Sequence, residues 1–282
     1  MYKMRKQKEI FDYVSKKCSK TFTKSYSTSF SFAIKLLNKE YQIAIYSIYG
    51  FVRLADEIVD SFHEYNKSKL LNELRYSTID ALEKNISLNP IINSFQHVVK
   101  KYSIEWTLID NFLESMEYDL TNKNCDEKSY KKYIQGSAEA VGLMCLQVFT
   151  HKKQGEYQKL MKYAESLGSA FQKINFLRDL NEDYNELKRV YFPNLDISRF
   201  SNTDKKIIED DIKKDFANGL IGIKMLNKDA QKGVYLAYKY YMSLFRKIQK
   251  KDAKNILKER IRISNIRKMI ILISSQIKLK IS

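Results

Sequence analysis

The chain has 282 residues, 50 Lys+Arg against 33 Asp+Glu, a formal net charge of +17, and only 2 prolines and 8 glycines. That leaves few tight-turn residues for a sheet-based fold, while Lys, Glu, Leu and Ile recur with helical spacing, so an all-α protein is expected. Cys18, Cys125 and Cys145 stand far apart, as do His63, His97 and His151, which sets aside a disulfide scaffold and a Cys/His metal cluster.

Residues 1–11 are basic and lack the apolar segment of a secretion signal, and no run reaches the roughly 20 apolar residues that span a bilayer. A cytoplasmic protein in a reducing compartment is expected. Helical patterns run over 6–19, 39–64, 68–86, 89–101, 105–120, 127–150, 154–187, 203–217, 219–249 and 252–273. Asn89-Pro90 and Phe192-Pro193-Asn194 interrupt them, because proline cannot continue a helix, and Lys188–Ser201 reads as a loop. No linker, low-complexity tract or repeat divides the chain, so residues 1–282 are taken as one domain. The tail Lys258–Ser282 alternates basic and apolar residues. It reads either as a packed terminal helix or as an interfacial helix at the inner face of the membrane.

Two helical segments carry acidic stripes. In Tyr41–Phe62, Ile48, Phe51, Ala55, Ile58 and Phe62 share one face, and Arg53, Asp56, Glu57, Asp60 and Glu64 share the other. In Leu167–Glu186, Leu167, Ala170, Ile174 and Leu177 form the apolar face, opposite Gln172, Asn175, Asp179, Asp183 and Glu186. A solvated helix face ordinarily mixes signs at this spacing, because like charges one turn apart repel. Two nearly all-acidic or amide stripes in so basic a chain need another explanation. Carboxylates about 6 Å apart repel by roughly 3 kcal/mol at an effective dielectric near 20, so stripes facing each other across a cleft require a counter-ion. Hard oxygen donors suit Mg²⁺, which keeps part of its shell for water and substrate phosphates. A Mg²⁺-diphosphate site follows, with Lys and Arg completing the neutralisation. The positive charge would also suit nucleic acid or anionic lipid, but a nucleic-acid surface leaves the acidic stripes unexplained, so no nucleic acid is expected.

Four segments resemble the squalene/phytoene synthases, the head-to-head branch of the isoprenoid synthases: YSTSFSFAIKLL (Tyr26–Leu37), IYSIYGFVRLADEIVD (Ile45–Asp60), YIQGSAEAVGLM (Tyr133–Met144) and LGSAFQKINFLRDLNEDYNELKRVYFP (Leu167–Pro193). The resemblance implies a helical bundle of isoprenoid-synthase type with a central active-site cavity. It matches Asp56 and Asp60 to the first aspartate motif and Asn175, Asp179 and Asp183 to the second, both sets holding Mg²⁺, with Mn²⁺ as a substitute. By the same resemblance Arg53 and Tyr240 join the four aspartates in catalysis. Ser29, Arg53, Gln172, Arg178, Arg189, Tyr191 and Tyr133 are expected to bind substrate. Two departures stand out. Glu139 occupies a position where many relatives have glycine, and Asp183–Tyr191 is one residue longer than in some bacterial members.

The implied reaction joins two geranylgeranyl diphosphates through a cyclopropyl diphosphate to phytoene, the first committed step of carotenoid biosynthesis. The alternative within the family is a C30 synthase using farnesyl diphosphate to make dehydrosqualene, squalene or hydroxysqualene. Outside enzymology, the alternative is a non-catalytic member acting as an assembly factor, and a terpene cyclase acting on one prenyl diphosphate is a further reading. NADPH is not expected, and no Gly-x-Gly-x-x-Gly fingerprint occurs. Cation chemistry needs a dry cavity, for which Phe22, Phe30, Phe32, Tyr46, Tyr49, Leu143 and Phe171 are the candidate lining.

Overall fold

The computed structural model describes residues 7–121, 125–151, 153–193, 195–258 and 260–281, with side chains described as far as Ser275. Helix α1 (Gln7–Tyr26) runs past the predicted stop at 19 and is separated from a short α2 (Thr28–Ile34) by Ser27. The Ser27 hydroxyl accepts from the Phe30 amide at 3.2 Å, capping α2. The Ser/Thr-rich sequence obscured both elements. Two of its buried hydroxyls bond back along the helix, Ser15 to the Phe11 carbonyl at 2.9 Å and Thr23 to the Ser19 carbonyl at 2.8 Å.

Helix α3 (Lys39–Asp60) opens at Asn38, whose side chain accepts from the Tyr41 amide at 2.8 Å. It ends four residues before the predicted boundary, so Glu64 falls outside the helix and is exposed. The predicted apolar face, Ile48, Phe51, Ala55 and Ile58, is buried. It packs with α4 (Lys67–Lys84), α5 (Pro90–Tyr102) and α6 (Trp106–Thr121) into one core, in which the Phe51 and Phe95 rings stack at 4.1 Å. Pro90 lies in the first turn of α5, where a missing N–H is no loss.

The predicted helix over 127–150 is continuous apart from one π turn, giving α7 (Glu127–Ile134), the π segment Gln135–Glu139 and α8 (Ala140–Thr150). At Gly136 a Cβ would lie 2.3 Å from the Asn111 carbonyl oxygen, so only glycine lets α6 come this close. Helix α9 (Glu156–Asn185) packs most extensively against α10 (Asn202–Met225), and α11 (Lys228–Gln249) completes a second core around Ile174, Leu177, Phe216 and Phe245. The expected break at residue 218 lies instead at Leu226–Asn227, where the Asn227 side chain caps α11. Gly219 remains inside α10 because it packs against Leu167. The predicted helix 252–273 is divided into α12 (Ala253–Ile256) and α13 (Asn265–Ile281). Phe30 and Val234 pack against both cores, and a cavity opens between them. All regular elements of the described residues are helical.

Candidate active site

Helices α3 and α9 set their acidic stripes on opposite walls of a cavity of about 600 Å³, so that Asp56, Asp60, Asn175, Asp179 and Asp183 all line it. Each wall follows from amphipathicity: burying the Phe51/Ala55 face of α3 and the Ala170/Ile174 face of α9 in the two cores turns the carboxylates inward. The carboxylates sense one another. Burial, then Asp60, push Asp56 up to about 7, against the pull of Arg53. Burial, then Asp179 and Asp60, push Asp183 up to about 8, against Arg189. Both therefore resist ionisation near neutral pH until positive charge is added.

Four arginines border this acidic centre. Arg53 lies 3.8 Å from Asp56, pairs with Glu57, and sits 4.6 Å above the Tyr26 ring, while its Nε is buried without a hydrogen-bond acceptor. Arg178 donates to both oxygens of Asp179, through Nε at 2.8 Å and through Nη2. Arg189 Nη1 donates to Asp60 Oδ1 at 3.0 Å. It reaches there because Lys188 adopts a left-handed φ of 56°, and the chain turns back so that the Arg189 amide donates to the Asp183 carbonyl at 2.8 Å. The longer Asp183–Tyr191 stretch thus keeps Arg189 and Tyr191 in the site. Arg260 was missed. It lies in the non-helical link between α12 and α13, with Nε 2.8 Å from Asp179 Oδ1 and Nη1 2.8 Å from Glu182 Oε2.

Two buried tyrosines and an unforeseen aspartate form the base of the site. Tyr133 donates to Asp119 Oδ2 at 2.6 Å and Tyr191 to Asp119 Oδ1 at 3.0 Å. Burial pushes Asp119 up to about 6 against the nearby Arg189 and the Tyr133 hydrogen bond. Asp119 carried no signal in sequence because it lies on the opposite side of α6 from Asp110, Glu114 and Glu117, with no acidic residue one turn from it. The adjacent tyrosines on α11 divide their roles. The Tyr240 ring lines the cavity, yet its hydroxyl donates away, to the Lys268 carbonyl at 3.2 Å. Its neighbour Tyr241 also lines the cavity: it donates to Asn175 Oδ1 at 3.3 Å, and its ring stacks on Phe171 at 3.9 Å. Ser29 and Gln172 line the cavity as expected, with Asn175 Nδ2 3.4 Å from Gln172 Oε1.

Beyond the charged end the cavity is apolar, lined by Phe30, Tyr49, Phe149, Leu160, Phe171 and Leu226, among others. Of the candidate lining side chains, Phe30, Tyr49 and Phe171 are there. Phe22 packs on Tyr26, Phe32 lies beside Lys35, Tyr46 is core, and Leu143 is buried in the first core away from the cavity. The π turn puts Glu139 at the back of α9, where it accepts from the Ser169 hydroxyl, so the residue standing in place of a glycine bonds outside the cavity.

The donor set suits a hard divalent cation. Burial first, and then the neighbouring carboxylates, hold Asp56 and Asp183 against ionisation, a cost that a cation would offset, and Asn175 adds a neutral oxygen. Among the described residues no three His, Cys, Asp or Glu groups converge into a protein-only cage. Two opposed walls of carboxylates match an ion that takes one or two protein ligands and completes its shell with phosphate and water.

The model for squalene/phytoene synthase matches residues 23–267. The chain belongs to the squalene/phytoene synthase family. A phytoene synthase from Mycobacterium bovis is 23% identical over 187 residues, covering 64% of this chain and 58% of that protein. A 4,4'-diapophytoene synthase from Staphylococcus haemolyticus is 24% identical over 197 residues, covering 68% and 65%. The matched region therefore spans about three fifths of the length of these relatives. A dehydrosqualene synthase crystal structure superimposes with a TM-score of 0.80 at 22% identity, covering 96% of this chain and 98% of that one. A squalene synthase from Alicyclobacillus acidocaldarius gives 0.74 at 16% identity, covering 85% and 95%. The fold is that of the squalene/phytoene synthase family, and no described helix is long and apolar enough to cross a membrane.

Proposed function

We propose that the chain is a prenyltransferase that condenses two geranylgeranyl diphosphates head to head, through a cyclopropyl diphosphate, to phytoene. The observation that carries this reading is the pair of acidic walls on α3 and α9 at one end of an apolar cavity. A diphosphate with a long hydrocarbon chain has the same two-part character. Mg²⁺, held by Asp56, Asp60, Asn175, Asp179 and Asp183, would supply the charge that makes diphosphate a good leaving group. Arg53, Arg178, Arg189 and Arg260 surround that end and hold the phosphate oxygens, and Ser29 and Gln172 orient them.

The rest of the cavity has to protect a carbocation. Phe30, Tyr49, Phe171 and Tyr241 are mutually packed and face the space next to the aspartates. Their ring faces favour a passing cation and leave little room for water. When the allylic C–O bond breaks, the departing diphosphate takes the electron pair. The second substrate's double bond attacks the cation, and a proton leaves to close the cyclopropane. Asp119, with its two tyrosine hydrogen bonds, fixes Arg189 beside the departing anion.

A second reading, two farnesyl diphosphates to a C30 product, has the diapophytoene synthase similarity in its favour. Product analysis separates them. Purified protein with Mg²⁺ is given the C20 diphosphate, then the C15 diphosphate with and without NADPH, beside folded Asp56→Ala and Asp179→Ala controls. Phytoene lost in both variants supports the proposal. A C30 product alone supports the second reading, and no turnover of either substrate favours the assembly-factor alternative.

A further inference from the structure

Helix α13 has two apolar faces. One packs inward: Ile271 and Ser275 are buried, and Ile271 lies against Ala33, Leu236, Ala237 and Tyr240. The opposite one carries Ile266, Met269, Ile270 and Ile273, which are 76%, 45%, 50% and 57% exposed. At 100° per residue these four fall within one stripe about 100° wide, on the far side of the helix from Ile271 and Ser275. No described side chain covers the stripe. Four exposed large apolar residues in helical register, on a helix already anchored by its other face, are the mark of a surface that meets something apolar.

Charge indicates what that is. Residues 260–282 contain six Lys/Arg and no Asp/Glu. Arg262, just before α13, and Arg267, within its first turn, are exposed. A second copy of this chain, itself at +17, would bring like charge to the same place. An anionic bilayer supplies both an apolar interior and opposite charge. The position fits as well. Ala33, Ala237 and Tyr240, against which α13 packs, line the cavity on their other side. Lys268 ties α13 to the cavity rim, its Nζ donating to Thr28 Oγ1 at 2.6 Å and its carbonyl accepting from Tyr240.

We infer that the outer face of α13 is a docking surface for anionic lipid, laying the cavity wall formed by α2 and α11 against the membrane. The apolar stripe sinks among the acyl chains near the headgroups while Arg262 and Arg267 meet lipid phosphates. The benefit, that a prenyl substrate and a hydrocarbon product partition into the same bilayer, rests on the function proposed above. The stripe and its charge do not.

The test is vesicle sedimentation of the full chain without substrate, so that it reads docking whatever the enzyme's product. Vesicles of phosphatidylcholine alone are compared with vesicles containing phosphatidylglycerol, for the wild type, Ile266→Ser/Ile270→Ser and Arg262→Ser/Arg267→Ser. The wild type is expected to bind the anionic vesicles and to be released by salt. Each double variant should lower the bound fraction at least about tenfold while keeping the wild-type melting temperature. Anionic-vesicle binding unchanged in the isoleucine variant, or no wild-type binding, would overturn the proposal. So would a concentration-dependent dimer in light scattering that the isoleucine variant abolishes, since the stripe would then be a protein interface.

Discussion

Arg189 Nη1 and Asp60 Oδ1, 129 residues apart in sequence, meet at 3.0 Å and join the end of α3 to the segment that follows α9. The Arg189 side chain is buried, whereas that of Asp60 is 45% exposed to the cavity. The guanidinium is therefore the fixed partner and the carboxylate the adjustable one. Nearby negative charge, from Asp119 first and also from Asp60, raises Arg189 further above its ordinary range against the cost of burial, so it stays charged at any working pH. Arg189→Ala leaves Asp60, Asp119 and Asp183 facing one another unneutralised. A loss of roughly 2 kcal/mol is expected from denaturant melts, below the 3–5 of a fully enclosed pair because Asp60 is half open. Arg189→Lys should keep most of that stability and still lose turnover, since one ammonium replaces a planar fork of donors.

Asp119 extends the same relationship. Its two oxygens receive Tyr133 and Tyr191, and Arg189 lies 3.5 Å from the Tyr191 hydroxyl. Asp119→Asn preserves shape but removes the charge that Arg189 balances, and it presents an N–H₂ to one tyrosine hydroxyl. We expect kcat to fall on the order of ten- to a hundredfold, the range of a lost supporting contact, with a smaller change in KM. Asp119→Leu should instead unfold more easily by about 1–3 kcal/mol, because two buried hydroxyls lose their acceptor. Steady-state kinetics and thermal melts on both variants distinguish positioning from simple packing.

Asp119 and Arg260 mark the limit of reading the sequence. Asp56, Asp60, Asp179 and Asp183 were legible because a helix repeats every turn, and a repeated acidic residue opposite an apolar face has a direction in space. Asp119 and Arg260 have no such companions; each reaches the site only through the tertiary approach of α6, or of the α12–α13 link, to α9. The helical fold was legible for the same reason, from periodicity. Besides the ends of α1 and α3, boundaries were misplaced where tertiary contacts decide: Gly219 is a contact glycine inside α10, and the segment before α13 leaves the helix so that Arg260 and Ile263 can line the cavity.

The raised carboxyls make stability depend on pH in a defined direction. Asp56 titrates near 7 and Asp183 near 8 in the folded chain, against an ordinary value of 3.8. Between those limits the folded chain holds protons that the unfolded chain has released, so stability falls as pH rises from about 4 to about 8. In EDTA the melting temperature of the wild type should drop by several degrees between pH 5 and 8.5 relative to Asp183→Asn, which removes one of the two groups. Mg²⁺ with inorganic pyrophosphate should raise the wild-type melting temperature more at pH 8 than at pH 5, because it binds the ionised form. Equal pH slopes in wild type and variant would count against the assignment of the raised carboxyl.

Gly168 tests the support behind the second acidic stripe. A Cβ there would lie 2.7 Å from the Ala138 carbonyl oxygen and 3.0 Å from its carbon, both backbone atoms of the π turn. Neither can move without shifting α9 or the turn. Gly168→Ala should cost about 1–3 kcal/mol by overpacking. Because Gln172 and Asn175 lie one and two turns further along the same helix, a displaced α9 should also lower turnover. Chemical denaturation and activity on one preparation check both; a variant with native stability would show that the π turn is free to yield.

The neighbouring tyrosines of α11 give a paired prediction that turns on where two hydroxyls point. Tyr241 donates to Asn175 Oδ1 within the acidic stripe and stacks on Phe171, whereas Tyr240 donates to the Lys268 carbonyl outside it. Tyr241→Phe keeps the stack and frees the Asn175 oxygen to rotate, so kcat/KM should fall several-fold with the fold intact. Tyr240→Phe keeps the cavity wall and loses one tie to α13, costing about 1 kcal/mol of stability with turnover near wild type. The same tie predicts a difference in protection: Tyr240→Phe should speed hydrogen exchange in α13 and leave α9 unchanged. If Tyr240→Phe were the variant that lost activity, the Tyr240 hydroxyl would have to leave Lys268 when substrate binds. That outcome would give the Tyr240 hydroxyl, and not only its ring, a place in catalysis.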